Sequence, residues 1–382
     1  MSFYSASSQQ KSPRQSLRCI IARSFHTAGL ISFSVAASLC LSMASVALGS
    51  TTYTITDLGP FQVMDINNQG QAIGYSYVAG GGWHVFSHRN GNTTDLGILT
   101  GAFSQVGSIN ESGVIAGWGD TLGQNREQAF TYYGGTVTPI NVSGASYSYA
   151  NDINDAGQVV GKADYAGGQT LAFRYENGTV TPLSTLGGQW SVATSINNKG
   201  QIMGYSLDAN SNQHVFLWEN GNMTDLGSMG GALCYPQSMN DHAQIVGYTY
   251  ASGYASGRGF LYDHGILTQL DTVRAGDIFS TANSINDRGQ VVGESFSSFT
   301  SPGHAFLFES GSTTDLNDLI ASDSGWVLAS ARSINDSGQI VGNGTLNGVS
   351  RAYLLTPVPE ASTLMLLGIA VIALLVFRVR RK

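Results

Sequence analysis

Ile153-Asn154-Asp155-Ala156-Gly157-Gln158-Val159-Val160-Gly161 is one of seven copies of a nine-residue phrase, and Ile285-Asn286-Asp287-Arg288-Gly289-Gln290-Val291-Val292-Gly293 is another. The central asparagines are Asn67, Asn110, Asn154, Asn197, Asn240, Asn286 and Asn335, spaced by 43, 44, 43, 43, 46 and 49 residues. A period in the forties, filled with short alternating stretches and tight turns, is the sequence signature of a β-propeller.

One repeat shows how the period is spent. Val192 to Asn197 alternates into a turn at Asn198-Lys199-Gly200, and Gln201 to Ser206 returns. A polar loop leads to His214-Val215-Phe216-Leu217-Trp218-Glu219, and Asn220-Gly221 is a strong hairpin signal before the last strand, Met223 to Leu226. The first strand carries small residues (Ala150, Ala193, Ala282, Ala331, with Ser108, Ser195 and Ser284), as crowding around an axis requires. Bulk grows outward to Phe86, Phe130, Phe173, Phe216, Phe260 and Phe306. The last repeat stops at Arg351-Ala352-Tyr353-Leu354-Leu355-Thr356 without a fourth strand, whereas Tyr53-Thr54-Ile55-Thr56-Asp57-Leu58-Gly59 matches the fourth-strand phrase Thr93-Thr94-Asp95-Leu96-Gly97. The expected fold is therefore all-β: a seven-bladed β-propeller of four-stranded antiparallel blades, with the N-terminal strand closing the last blade and leaving no long open edge.

The ends differ from this body. Residues 1–49 hold Lys11, Arg14, Arg18 and Arg23, no acid, and an apolar stretch from Ala28 to Leu41, which reads as a signal peptide. Residues 358–382 begin Val358-Pro359-Glu360, continue through the uncharged Leu364 to Phe377, and close on Arg378, Arg380, Arg381 and Lys382. A transmembrane segment over about 363–379 with a cytoplasmic basic tail is expected there. Residues 50–357 make the propeller domain, with ten basic and 24 acidic side chains, near −14. That charge, with no basic stripe, excludes nucleic acid as a partner. Cys234 is the one cysteine in this part, so no internal disulfide is expected.

Several motifs suggest chemistry and then fall short of it. Asp65-x-Asn67-x-Gln69-Gly70 and Asp152-x-Asn154-x-Ala156-Gly157 resemble the start of a calcium loop, but the twelfth positions are Ser76 and Ala163, where a bidentate glutamate is needed. They read instead as turns in which the Asn or Asp side chain bonds nearby backbone amides. His84, His214 and His304 occupy equivalent places in three repeats and cannot converge on one metal. No nucleophile motif, zinc signature or phosphate loop is present, so no catalytic residue, metal ligand or cofactor is assigned. Glu294 and Lys162 share the position after the last glycine of the phrase, and Glu294 and Asp277 are the acids of an alternative reading, a glycan-active hydrolase or lyase.

The aromatic pattern is more informative. Phe103, Tyr147, Trp190 and Phe279 stand seven residues before the repeat asparagine, and Tyr75, Trp118, Tyr205 and Tyr248 stand eight after it. The first set opens strand one and the second closes strand two, so both belong at one end of the blades, beside the variable loops. These eight residues are the candidate ligand-binding face, where rings can stack on sugars. The competing reading is packing between blades.

The phrases His214-Val215-Phe216-Leu217-Trp218 and His304-Ala305-Phe306-Leu307-Phe308, each some 20 residues after an Ile-Asn-Asp-x-Gly phrase or its variant, resemble the HAF family of extracellular repeats. The terminus resembles the PEP-CTERM sorting signal of Gram-negative bacteria, with Ala361 where that motif has a second proline. The resemblance implies an exosortase-like sorting protease as partner, transient anchoring in the inner membrane through the C-terminal segment, and delivery to the cell surface or extracellular matrix. The expected function is a binding or structural module rather than an enzyme, with exopolysaccharide or another envelope protein as ligand.

Overall fold

The computed structural model describes residues 52–101, 103–120 and 126–359. These form 28 strands and two short 3-10 turns, and Thr52–Val358 is one compact unit. The signal peptide expected over residues 1–49 lies outside the described residues. One expectation is corrected. No helix among the described residues is long and apolar enough to cross a membrane, so the transmembrane helix is not found, and residues 363–379 themselves lie outside the described part.

The strands group in fours, each group an antiparallel meander. Gly187–Ile196, Ile202–Asp208, Gln213–Glu219 and Asn222–Gly227 are adjacent in that order, as the repeat predicts. The molecule is thus an all-β fold of repeated antiparallel sheets resembling a β-propeller. The last group is completed from the other end of the chain. Tyr53–Gly59 pairs antiparallel with Val349–Pro357, from Tyr53 opposite Pro357 to Gly59 opposite Ala352. Consecutive groups touch through single parallel pairs at equivalent places, Trp83 with Phe103, Thr170 with Trp190, and Gly257 with Phe279.

The core lies between groups rather than within them, because a four-stranded meander has two faces and only a neighbour can cover them. Val160 and Ala172 of one repeat pack with Ala193, Ile196, Ile202 and Phe216 of the next. The same holds at the chain ends, where Val341, Ala352 and Leu354 pack with Leu58, Phe61 and Val63. The glycine that ends each phrase answers contacts inside its own group. A Cβ at Gly204 would fall on the Val192 carbonyl oxygen and 2.8 Å from Cζ of Phe216, and Gly293 meets the Thr281 carbonyl and Phe306 in the same way. Only hydrogen fits between the inner strand and the third-strand phenylalanine.

The repeat asparagines do more than shape turns. Asn154 Oδ1 accepts from the Gln158 amide at 3.0 Å, the expected local bond. Its Nδ2 also donates 3.0 Å to the Asn197 carbonyl of the next repeat. Each of the other asparagines donates to its successor, and Asn335 donates to the Asn67 carbonyl at 3.0 Å. A second succession runs one residue later. The Asp241 amide donates to Asp287, the Asp287 amide to Asp336, and the Asp336 amide to Asn68. The leading acids are also engaged. Asp65 accepts from Ser108 Oγ, the Ile109 amide and Ser333 Oγ at 2.7 to 3.0 Å, and so joins three repeats. Its oxygens point into these contacts, not into a calcium loop.

Candidate functional site

The inner strand of every repeat carries a register shift three residues before its asparagine. Such bulges turn one side chain out of the ladder. The turned-out residues, from Met64 through Asn151 and Gln237 to Arg332, line a cavity of about 140 Å³ to which all seven repeats contribute. Beyond the bulge, toward the start of the inner strand, the ladder places the aromatic positions. Val192 lies opposite Tyr205, Tyr235 opposite Tyr248, and Gln105 opposite Trp118. The opening of strand one and the close of strand two therefore share one end of the sheet.

Three repeats bring these positions into a continuous run. Trp190 meets Tyr205 edge-on at 5.3 Å, and Tyr205 meets Tyr235 at 5.7 Å. Tyr235 stacks on Tyr248 at 5.3 Å, and Tyr248 meets Tyr250 at 5.4 Å. Tyr250 reaches Phe279 at 6.3 Å, which packs on Phe296 and Phe299 at 5.3 and 4.6 Å. The run surfaces at Phe299, 60% exposed, and at Tyr254, 49% exposed, which packs on Tyr250 at 5.1 Å. Burial first, and neighbouring phenols second, push Tyr235 and Tyr248 up to about 12. Both remain neutral hydroxyls, able to donate and accept, at any ordinary pH.

The predicted residues fare unequally. Trp190, Tyr205, Tyr248 and Phe279 belong to the run, although Phe279 is buried, 5% exposed. Tyr75 and Trp118 stand apart, the first edge-on to Trp83 at 5.8 Å and the second to Tyr149 at 5.9 Å. Phe103 sits half-buried at a parallel pair between groups. Tyr147, 42% exposed, packs on no other ring among the described residues. Tyr235, Tyr250, Tyr254, Phe296 and Phe299 were missed. Tyr250 and Phe296 carry a readable signal, since each lies two residues beyond the strand-two position and so faces the same side. Tyr254 and Phe299 come from loops and carry none.

The polar residues set aside in the sequence are partly structural. His84 and His214 each bond the fourth-strand aspartate, Asp95 and Asp225, at 2.9 Å. His304 is 3.5 Å from Asp315, because Arg274 occupies that carboxylate at 2.9 Å. Lys162 lies 4.4 Å over the Tyr149 ring and 3.5 Å from Asp164. Asp277 accepts from Ser295 Oγ at 2.6 Å. No group of three or more His, Cys, Asp or Glu that could hold a metal occurs among the described residues.

Residues 357–382, which include the Val358-Pro359-Glu360 motif, match the PEP-CTERM protein-sorting motif. That motif implies processing by an exosortase-type enzyme and supports export to the cell surface. Residues 237–353 match a family described as a protein of unknown function, DUF3466. No curated protein matches the chain. Among solved structures, the chain is similar to the β-propeller domain of the Trilobed protease from Pyrococcus furiosus, described as having an open velcro topology. The TM-score is 0.53 at 11% identity, covering 80% of this chain and 95% of that one. It is also similar to a puromycin-hydrolyzing peptidase from Mycobacterium tuberculosis, TM-score 0.50 at 11% identity, covering 75% of this chain and 50% of that one. TolB from Acinetobacter baumannii gives a TM-score of 0.46 at 13% identity, with 76% of this chain and 64% of that one covered. This chain thus spans less than two thirds of the peptidase and of TolB. At such identities the likeness concerns the fold.

Proposed function

We propose that the seven four-stranded groups are the blades of a closed propeller of HAF-type repeats, spanning about residues 50–357, and that the exported protein is a binding module for exopolysaccharide at the cell surface or in the matrix. Closure draws its support from the Asn335 bond to Asn67 and from the pairing of Tyr53–Gly59 with Val349–Pro357. The ligand reading rests on one observation, the continuous aromatic run from Trp190 to Phe299 that surfaces at the end of the strands. Two of its rings, Tyr254 and Phe299, are exposed on either side of Tyr250, where a ligand can reach them. Sugars suit it, because their axial C–H faces stack on rings while their hydroxyls meet neutral phenols.

The protein needs no cofactor in this role and leaves the polysaccharide intact. The test is binding of the purified protein to the host's exopolysaccharide, read by tryptophan fluorescence and sedimentation, with Trp190→Ala and Tyr250→Ala alongside. Saturable binding, weakened in both variants, is expected. A folded protein that does not bind, or one that releases new reducing ends, overturns the proposal.

A further inference from the structure

Beside the aromatic run lies a set of polar groups that the fold does not use. Thr281 and Glu294 are direct cross-strand partners. Opposed residues of an antiparallel pair share a face, with Cβ atoms about 5 Å apart. The Thr281 side chain is buried, 7% exposed, yet its Oγ1 has no hydrogen-bond partner. Glu294 Oε2 lies 3.3 Å from where a Cβ on Gly303 would stand, so the glycine leaves room for the carboxylate. Among the described residues, no hydrogen bond or ion pair reaches that carboxylate, and its pKa is raised by burial against the pull of Arg332.

Arg332 completes the set. It occupies the bulge position of the next repeat's inner strand, is exposed, and is the one Lys or Arg among the residues lining the 140 Å³ cavity. Its side chain makes no ion pair or hydrogen bond with any described residue, and its strand is tied to that of Thr281 by Asn283 Nδ2, which donates 2.8 Å to the neighbouring Ala331 carbonyl. The aromatic run adjoins the pair directly, because Phe279 and Phe296 are the cross-strand partners two residues along the same two strands and so share its face.

We propose that Thr281, Glu294 and Arg332 form a polar subsite that receives the hydroxyl groups of an uncharged sugar residue, whose ring stacks on the adjoining aromatic run. The assignment rests on the carbohydrate-binding reading above and names the sugar class. A carboxylate takes two hydroxyl donors, a guanidinium donates to two oxygens, and a threonine hydroxyl does either. Together they match a vicinal diol. An acidic sugar fits poorly, because its charge would lie beside Glu294 in a domain already near −14.

The experiment titrates the full-length protein with neutral oligosaccharides (galactomannan and β-glucan fragments) and with oligogalacturonate, following tryptophan fluorescence. Neutral sugars should bind, and Glu294→Gln and Arg332→Gln should each weaken them about tenfold or more. Thr281→Val supplies the readout that a structural role would not give. It removes a buried hydroxyl without a partner, so thermal stability should hold or rise while affinity falls about threefold to tenfold. If neutral sugars bind and Tyr250→Ala weakens them, but the three polar variants match wild type, the subsite is refuted and the aromatic surface stands. Preference for oligogalacturonate refutes the uncharged class. Absence of any binding by folded protein refutes the underlying reading itself.

Discussion

Replacing Asn154 should cost far more than replacing an ordinary turn residue. Asn154 is 4% exposed, and its amide is fully engaged. Nδ2 donates to the Asn197 carbonyl at 3.0 Å and to Gln158 Oε1 at 2.7 Å, while Oδ1 accepts from the Gln158 amide at 3.0 Å. In Asn154→Ala the Gln158 N–H loses the partner that closes its turn. The Asn197 carbonyl keeps its bond from the Gly200 amide but loses the one that crosses repeats. One unpaired backbone donor at about 1–3 kcal/mol, plus two lost bonds at about 1 kcal/mol each, to the Asn197 carbonyl and to Gln158 Oε1, gives a loss of about 3–5 kcal/mol. Asn154→Asp is the sharper test because it preserves shape. Its carboxylate still accepts from Gln158 but presents a second oxygen to the Asn197 carbonyl, so at pH 7 the loss should equal or exceed that of alanine. On acidification the new carboxyl gains a proton to donate, and part of the loss should return. Urea midpoints at constant m, followed by tryptophan fluorescence at pH 7 and pH 4.5, measure both effects. An Asn154→Ala loss below about 1 kcal/mol, or an Asn154→Asp variant as stable as wild type at pH 7, would refute the inter-repeat role.

Three further outcomes are expected. Burial, foremost, lifts Asp152 from 3.8 to about 6. The folded state therefore favours its protonated form, a contribution fully present below about pH 4 and lost as pH rises through 6. Asp152→Asn should flatten the pH dependence of stability between pH 4 and 7 by on the order of 3 kcal/mol, measured by urea unfolding across that range. Ala243 holds the left-handed turn position, φ 57°, that glycine holds in the other six phrases, so Ala243→Gly should stabilise by about 1 kcal/mol and raise Tm by roughly 2 °C. A chain lacking Tyr53–Gly59 leaves Val349–Pro357 as an open edge and removes the buried Tyr53 and Leu58, and size-exclusion chromatography should show it associating where the intact chain does not.

The repeating framework is legible in the residues alone: the 43- to 49-residue period, the four strands of each repeat, the small inner strand, the outward phenylalanines and the N-terminal strand beside the last repeat. These are legible because alternation, Asn-Gly turns and side-chain volume act locally or recur at a fixed interval. The sequence also placed both aromatic sets at one end of the strands, since antiparallel pairing makes that a matter of counting. Which aromatics meet depends instead on the packing of one sheet against the next. Trp190, Tyr205, Tyr248 and Phe279 join one run through Tyr235 and Tyr250, while Tyr75, Trp118 and Tyr147 remain apart. The same is true of the asparagine bonds between repeats. Partners on adjacent repeats lie about 30 residues apart along the run, as Tyr205 and Tyr235 or Tyr250 and Phe279 do, and 43 or more apart between asparagines, and their contact depends on how one sheet rests on the next, a rigid-body relation that no local pattern encodes.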